Sequence, residues 1–126
     1  MAVLLVEDDT IVRLTLAEFF DEAGLQVQEA GSADQALAIF HDPTQGIDIL
    51  VTDLDLGPGD NGLALAQQAK RLLPDLQVIY ATGNPDILHG RRLAAWEKVF
   101  LKPFNPGCLV AAVLALEERR QARLVT

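Results

Sequence analysis

The sequence predicts an α/β fold: a doubly wound, five-stranded parallel sheet of (βα)5 topology in a three-layer sandwich. Short apolar runs rich in Val, Ile and Leu alternate with longer stretches of helical spacing, which is the pattern of βα units. The run Ile49-Leu50-Val51 is continuously apolar, as expected for a strand that helices cover on both faces. The 126 residues suffice for one domain of ordinary size.

The apolar runs predict five strands, each bounded by polar or turn-forming residues. The predicted strands are Ala2–Val6, Gln26–Ala30, Ile47–Thr52, Gln77–Ala81 and Lys98–Leu101. No internal repeat, low-complexity tract or linker interrupts the series. We therefore predict one domain over residues 1–122, followed at 123–126 by a tail or the start of a truncated linker.

Turn and capping residues mark the ends of the first three predicted helices. The first stops at Gly24, which suits a left-handed C-terminal cap. Ser32 is a good N-cap for the second, which ends before Pro43. The third follows Gly62 and ends before Pro74. These helices supply the crossovers that a parallel sheet requires.

The last two predicted helices differ in the strength of their signals. The fourth, near 86–96, has a thin apolar stripe and is interrupted by Gly90. The fifth begins near Pro106, a residue favoured in the first turn. Cys108 is the only cysteine and is expected to be a small buried residue of this helix. Asp9 is expected to cap the first helix.

Composition and charge exclude several classes of function. Ten basic and eighteen acidic side chains give a formal net charge of −8, which argues against direct binding to nucleic acid or to an anionic membrane surface. The N-terminus lacks the basic region of a signal peptide, and no apolar run approaches the roughly 18 residues of a membrane-spanning helix. With a single unpaired cysteine as well, a cytoplasmic protein is predicted.

Chemically active side chains follow four of the five predicted strands. Glu7 and Asp8 come after the first strand, Asp53 after the third, Thr82 after the fourth and Lys102 after the fifth. The carboxyl ends of parallel strands meet at one edge of the sheet, where open α/β sheets bind their ligands. The sequence therefore predicts that these side chains gather around one cleft.

Three carboxylates in one cleft repel each other unless a cation compensates their charge. Mg²⁺ prefers oxygen ligands and commonly uses one or two carboxylates. Asp8 and Asp53 could supply that pair, with Glu7 acting through water. Near a metal, the Asp53 carboxylate can serve as a nucleophile toward phosphorus. Lys102 and Thr82 have the ammonium and the hydroxyl that would stabilise phosphoryl oxygens.

Four short motifs, in order and each at the end of a predicted strand, form a specific signature: Leu4-Leu5-Val6-Glu7-Asp8-Asp9, Val51-Thr52-Asp53-Leu54, Ala81-Thr82-Gly83 and Leu101-Lys102-Pro103-Phe104. With these motifs the chain resembles the receiver domains of two-component response regulators over nearly its whole length. Their fold is the flavodoxin-like sandwich predicted above. The resemblance implies phosphorelay signalling, in which phosphorylation switches protein–protein interactions.

The resemblance also implies roles for single residues. Asp53 would be the phosphoacceptor, Asp8 a direct Mg²⁺ ligand, Glu7 a water-mediated one, and the backbone carbonyl of Asp55 a further ligand. Thr82 and Lys102 would contact the phosphoryl oxygens, and the Lys102-Pro103 peptide would be cis. The donor would be a phosphohistidine on a sensor kinase or phosphotransfer protein. Output would use the face formed by the fourth helix, fifth strand and fifth helix.

Three features depart from the commonest receiver pattern. Val99 stands where many receivers have a switch Tyr or Phe, and strand alternation sends the next residue, Phe100, to the opposite face. The loop after Asp53 looks one residue longer than usual. Asp55 and Asn84 stand where a side chain can direct or block an attacking water, so the lifetime of the phosphorylated form does not follow from the resemblance.

Two other functions use similar features. Asp53-Leu54-Asp55 also looks like the motif of haloacid-dehalogenase-type phosphatases, which form an aspartyl-phosphate, although that motif normally follows a first strand. A flavin-binding module has the same layout, but acidic Glu7 and Asp8 would repel a flavin phosphate. A receiver that only binds partners, without phosphorylation, is the third alternative. The intact acceptor, metal and lysine positions argue against this third alternative. We therefore predict a phosphoacceptor domain with at most self-phosphorylation or dephosphorylation activity.

Overall fold

The computed structural model describes residues 2–42, 44–56, 61–83, 92–102 and 105–125, with side chains of the last helix described as far as Arg119. The five strands are β1 Ala2–Val6, β2 Gln26–Ala30, β3 Ile47–Asp53, β4 Gln77–Thr82 and β5 Glu97–Leu101. The helices are α1 Thr10–Glu22, α2 Ala33–Phe40, α3 Gly62–Leu72 and α4 Pro106–Val125.

All four strand pairings are parallel, and the strand order is β2-β1-β3-β4-β5. The chain moves from β1 outward to β2 and then returns past β1 to β3. A crevice forms at such a reversal of strand order, at the carboxyl ends of the strands. The predicted doubly wound parallel sheet is thus confirmed, and it sets β1 beside β3 at the crevice.

Two apolar clusters cover the two faces of the sheet. One includes side chains of α2 and α3, such as Phe40 and Leu65; the other includes side chains of α1 and α4, such as Phe20 and Val113. Successive side chains of a strand point to opposite faces of the sheet. In β5, Val99 therefore packs against the first cluster and Phe100 against the second. The three-layer sandwich and the opposite orientations within β5 both follow the sequence prediction.

The helix ends confirm the predicted caps. The Asp9 carboxylate accepts the backbone N–H groups of Ile11 and Val12 at 3.0 and 3.1 Å. The Ser32 hydroxyl accepts the N–H of Gln35. Gly24 has a positive φ of 85°, which a residue with a Cβ rarely adopts. These caps fix where α1 and α2 begin and how α1 leads into the turn before β2.

Two predictions about the second half of the chain need correction. The predicted helix near 86–96 falls partly outside the described residues, but 92–96 are not helical. There the Glu97 carboxylate accepts the N–H of Ala94 and the Ala94 carbonyl accepts the N–H of Glu97, so the chain turns directly into β5. Cys108 lies in α4 but is exposed, because the helix directs the neighbouring Leu109 into the core.

None of the helices in the described part of the chain is both long and apolar enough to cross a membrane.

Candidate functional site

The register of the sheet brings two acidic residues to the same level. Val6 of β1 pairs with Thr52 of β3, so that the residues that follow each of them, Glu7 and Asp53, lie side by side at the carboxyl edge. Asp8 is the next residue in the turn to α1. One carboxylate oxygen from each of Glu7, Asp8 and Asp53 can be chosen so that all three lie within 4.8 Å of one another. The predicted acidic cluster therefore exists.

Lys102 connects two of the three carboxylates. Its Nζ lies 2.7 Å from Asp53 Oδ2 and 3.3 Å from Glu7 Oε2. The Lys102 side chain is 28% exposed, whereas those of Asp53 and Glu7 are 11% and 5% exposed. An ammonium in this half-buried position offsets part of the negative charge that the cluster accumulates. These three residues are separated by up to 95 positions in sequence.

The surroundings shift the pKa of two of these groups. Burial raises the pKa of the Glu7 carboxyl, the charge of Lys102 opposes this, and the charge of Asp53 adds to it, so that the pKa is raised overall. Burial alone would lower the pKa of Lys102. The hydrogen bond to Asp53 and the negative charges of Glu7 and Asp53 outweigh burial and raise it. The ammonium form of Lys102 is thus favoured beside the carboxylates.

The backbone around Asp53 holds its carboxylate in place. The N–H of Asp55 donates to Asp53 Oδ1 at 3.0 Å, while Lys102 donates to Oδ2. The Thr52 hydroxyl donates to the Asp53 carbonyl at 2.9 Å, and the N–H of Gly62 donates to the carbonyl of Leu54 at 3.0 Å. Both carboxylate oxygens of Asp53 therefore accept a hydrogen bond. The end of β3 is also hydrogen-bonded to the start of α3.

Thr82 is the last residue of β4, and Lys102 directly follows β5. Asp53 pairs with Ala81 in the register of β3 and β4, so Thr82 lies one position beyond the level of Asp53. The Lys102 N–H donates to the Thr82 carbonyl at 2.8 Å, which extends the pairing of β4 with β5. Thr82 is 1% exposed. The predicted threonine and lysine thus lie at the carboxyl ends of β4 and β5, at the same edge of the sheet as the acidic cluster.

The remaining predicted features of the site are the side chain and carbonyl of Asp55 and several residues that the structure does not describe. The Asp55 side chain is exposed, and Asp55 forms an isolated bridge with Asn61. The 57–60 loop, Asn84 and Pro103 lie outside the described residues, and with them the expected cis peptide. The role of the Asp55 carbonyl as a ligand stays a prediction.

Sequence reasoning missed the close approach of Gly62 to the site. A Cβ added at Gly62 would lie 2.0 Å from the Asp53 carbonyl oxygen and 3.0 Å from Thr52 Oγ1. No L-residue with a side chain fits there without movement of the backbone. A glycine at the start of the predicted helix was the available signal, because glycine commonly stands where two backbone segments approach closely.

The donor set fits a small divalent cation. The cluster consists of carboxylates, the hard oxygen ligands that Mg²⁺ prefers, and one of its members, Asp8, is exposed and open to solvent. The excess negative charge among these residues is the charge that such an ion would compensate. The residues present therefore fit the predicted metal.

Residues 3–114 match the family described as "Response regulator receiver domain". The chain is 37% identical over 89 residues to the transcriptional activator protein ExaE of Pseudomonas putida, a match that covers 69% of this chain and 40% of ExaE. It is 32% identical over 120 residues to the sensor kinase CckA of Brucella abortus, which covers 94% of this chain and 13% of CckA. The chain thus spans less than half the length of these curated relatives.

A solved structure also matches. The structure of response regulator protein TrrA from Thermotoga maritima, in complex with Mg²⁺-BeF, superposes with a TM-score of 0.75 at 27% identity and covers 91% of this chain and 97% of that one. This chain belongs to the response regulator receiver domain family, whose members are phosphoacceptor domains of two-component phosphorelay signalling. The comparisons contain no support for the phosphatase alternative.

Proposed function

We propose that this receiver accepts a phosphoryl group on Asp53 from a phosphohistidine of a sensor kinase or phosphotransfer protein. The observation that carries the proposal is the arrangement of Glu7, Asp8 and Asp53 with the Lys102 ammonium 2.7 Å from Asp53. A lone acidic residue after a strand is commonly only a turn residue. Three carboxylates with a lysine at one sheet edge form a site that can hold both a metal and a phosphoryl group.

In the proposed reaction an Asp53 oxygen forms a bond to phosphorus as the phosphorus–nitrogen bond breaks. The electron pair of that bond stays on the donor histidine nitrogen, which takes up a proton. Lys102 would move its hydrogen bond from the carboxylate to a phosphoryl oxygen, and Thr82 would donate its hydroxyl to another. Glu7, Asp8, Asp53 and the Asp55 carbonyl would hold Mg²⁺, which when bound compensates the negative charge of the carboxylates and phosphoryl group.

The domain's own chemistry would be limited to its phosphorylation and dephosphorylation, and its output would be a changed affinity for a protein partner. The face formed by β5 and α4, with the segment before β5, is the proposed output surface. Leu101 is 54% exposed and Leu93 40% exposed there, and exposed apolar side chains favour protein contacts. The net charge of −8 opposes direct nucleic-acid binding.

Residues 1–122 would form the receiver and 123–126 a tail or linker. A cytoplasmic location also belongs to the proposal. The exposed, unpaired thiol of Cys108 is compatible with a reducing compartment.

Intact mass spectrometry tests the phosphoacceptor directly. Wild-type protein, incubated with Mg²⁺ and a small acyl phosphate, should gain one phosphoryl group. Asp53→Asn should gain none, and neither should wild type in EDTA. Asp48→Asn is the matched control, because it removes a carboxylate from the other end of the same strand. An unmodified wild type would reject the proposal and favour the interaction-only receiver; an adduct that persists in Asp53→Asn would place the acceptor elsewhere.

A further inference from the structure

Arg13 of α1 is held between the ends of β1 and β2. Its Nη1 donates to the backbone carbonyl of Glu7 at 2.8 Å, and its Nε lies 3.4 Å from Oε1 of Glu29 on β2. A Cβ added at Gly31 would lie only 3.0 Å from Nη1. The Arg13 side chain is 19% exposed. The guanidinium is therefore lodged against the backbone, whereas many surface arginines extend into solvent.

The carbonyl that Arg13 binds belongs to the peptide that joins Glu7 to Asp8. The turn from β1 to α1 contains only Glu7, Asp8 and Asp9. Its beginning is held by the Glu7 N–H, which donates to the Ala30 carbonyl at 3.1 Å, and its end by the Asp9 cap. The Glu7–Asp8 peptide lies between these two points. A change in ψ of Glu7 or in φ of Asp8 would turn these two acidic residues relative to each other.

We propose that Arg13 is a positioning residue for the metal site: by fixing the Glu7–Asp8 peptide, its guanidinium holds both carboxylates in the orientation that a divalent cation requires. This inference rests on the proposed function. The carboxylates repel each other. Lys102 bridges Glu7 and Asp53, and the Asp9 N–H donates to Glu7 Oε1 at 3.3 Å, so without Arg13 the repulsion would mainly turn Asp8 away from the other two. Mg²⁺ demands near-ideal octahedral geometry, and residues that orient its ligands commonly change metal affinity by about 10–100-fold.

Direct metal binding tests the role of Arg13. Electron paramagnetic resonance measures free Mn²⁺, a cation that prefers similar carboxylate ligands, in the presence of each folded variant. Arg13→Met should weaken Mn²⁺ binding about tenfold. Arg13→Lys should fall between Arg13→Met and wild type, because an ammonium can donate to the Glu7 carbonyl but lacks the planar, pre-organised fork that fixes the direction of the donor.

Two control variants separate the peptide contact from other effects of charge. Glu29→Gln removes the ion pair to β2 but leaves the bond to the Glu7 carbonyl, so Mn²⁺ affinity should stay within about twofold of wild type, the scale of a weak exposed ion pair. Arg71→Met removes an exposed arginine from the last turn of α3 and should also have little effect. If Glu29→Gln weakens binding as much as Arg13→Met, the positioning role of the peptide contact is wrong.

Phosphorylation kinetics provide a second measurement. A purely structural role of Arg13 would not change the Mg²⁺ concentration that gives half-maximal phosphorylation. With a small acyl phosphate, Arg13→Met should need more Mg²⁺ for half-maximal phosphorylation but reach the wild-type rate at saturation. Unchanged Mn²⁺ affinity in a folded Arg13→Met would overturn the inference. A lower maximal rate of phosphorylation at an unchanged half-maximal Mg²⁺ concentration would overturn it as well. If Arg13→Met does not fold, Arg13→Lys decides: weaker binding supports the role, and wild-type binding contradicts it. Failure of the wild type to bind metal would instead reject the proposed function.

Discussion

At the scale of single residues, Gly62 provides the space that the phosphoacceptor strand needs. We expect Gly62→Ala to lower the free energy of unfolding by about 1–3 kcal/mol, because the added Cβ would lie 2.0 Å from the Asp53 carbonyl oxygen and the backbone must move. Urea unfolding measures the change. Gly83→Ala is the control, because the nearest atom to its added Cβ is 3.9 Å away. Equal effects of the two substitutions would contradict the explanation.

The buried Glu7 carboxyl predicts a pH dependence in the metal-free protein. Its pKa is raised on folding, so its stabilising contribution is fully present below the unfolded value of about 4.5 and is lost as pH rises through the folded pKa. Glu7→Gln cannot lose a proton and should therefore become more stable relative to wild type as pH rises through that interval.

Urea unfolding in EDTA, from below pH 4.5 to neutral pH, measures this difference. A difference between Glu7→Gln and wild type that does not change with pH would show that Glu7 is not the titrating group.

At the scale of elements, the pairing of the edge strand β5 with β4 includes a buried side-chain contact. The Tyr80 hydroxyl donates to Glu97 Oε2 at 2.5 Å, and Tyr80 is fully buried. A typical hydrogen bond contributes about 0.5–1.5 kcal/mol, so Tyr80→Phe should lower the free energy of unfolding by about that amount. A double-mutant cycle with Glu97→Ala, which removes the acceptor, isolates the coupling, and a coupling energy near zero would contradict it.

Strand β5 also contains Val99, which stands where many receivers have a switch Tyr or Phe. Val99 faces the α2 and α3 side with Tyr80, its register partner, and Phe100 faces the other side. We therefore expect phosphorylation to shift the backbone of the loop after Thr82 with little aromatic reorientation. Paired structures of the inactive and activated protein measure this directly. A large swing of an aromatic ring in the activated structure would contradict the expectation.

At the scale of the whole molecule, metal binding and folding stability are linked. At a Mg²⁺ concentration about 100 times its dissociation constant, the folded state should gain ~2.7 kcal/mol. Asp8→Asn should abolish most of this gain, because it removes a proposed ligand. Asp9→Asn should keep it, since Asn also caps helices well and Asp9 serves α1. Thermal unfolding with Mg²⁺ and with EDTA measures the gain; equal losses in both variants would argue against a specific site.

The strand positions and most helix ends could be predicted because they depend on local properties. Apolar runs predict the strands, and Asp9, Ser32 and Gly24 act on their own neighbouring backbone. The segment 92–96 could not be predicted in this way. Its turn into β5 depends on Glu97, which is buried against Tyr80 from another strand.

The residues of the site were identifiable because parallel strands bring their carboxyl ends to one edge, whatever their separation in sequence. The sequence by itself thus determined the order of the strands along the chain, the acidic cluster with its lysine, and the caps. Only the tertiary structure decided the contact of Gly62 with Asp53, the anchoring of Glu7 by Arg13 and the Tyr80–Glu97 bond. Each of these depends on atoms that side-chain packing, rather than residue type or spacing, brings within a few ångströms.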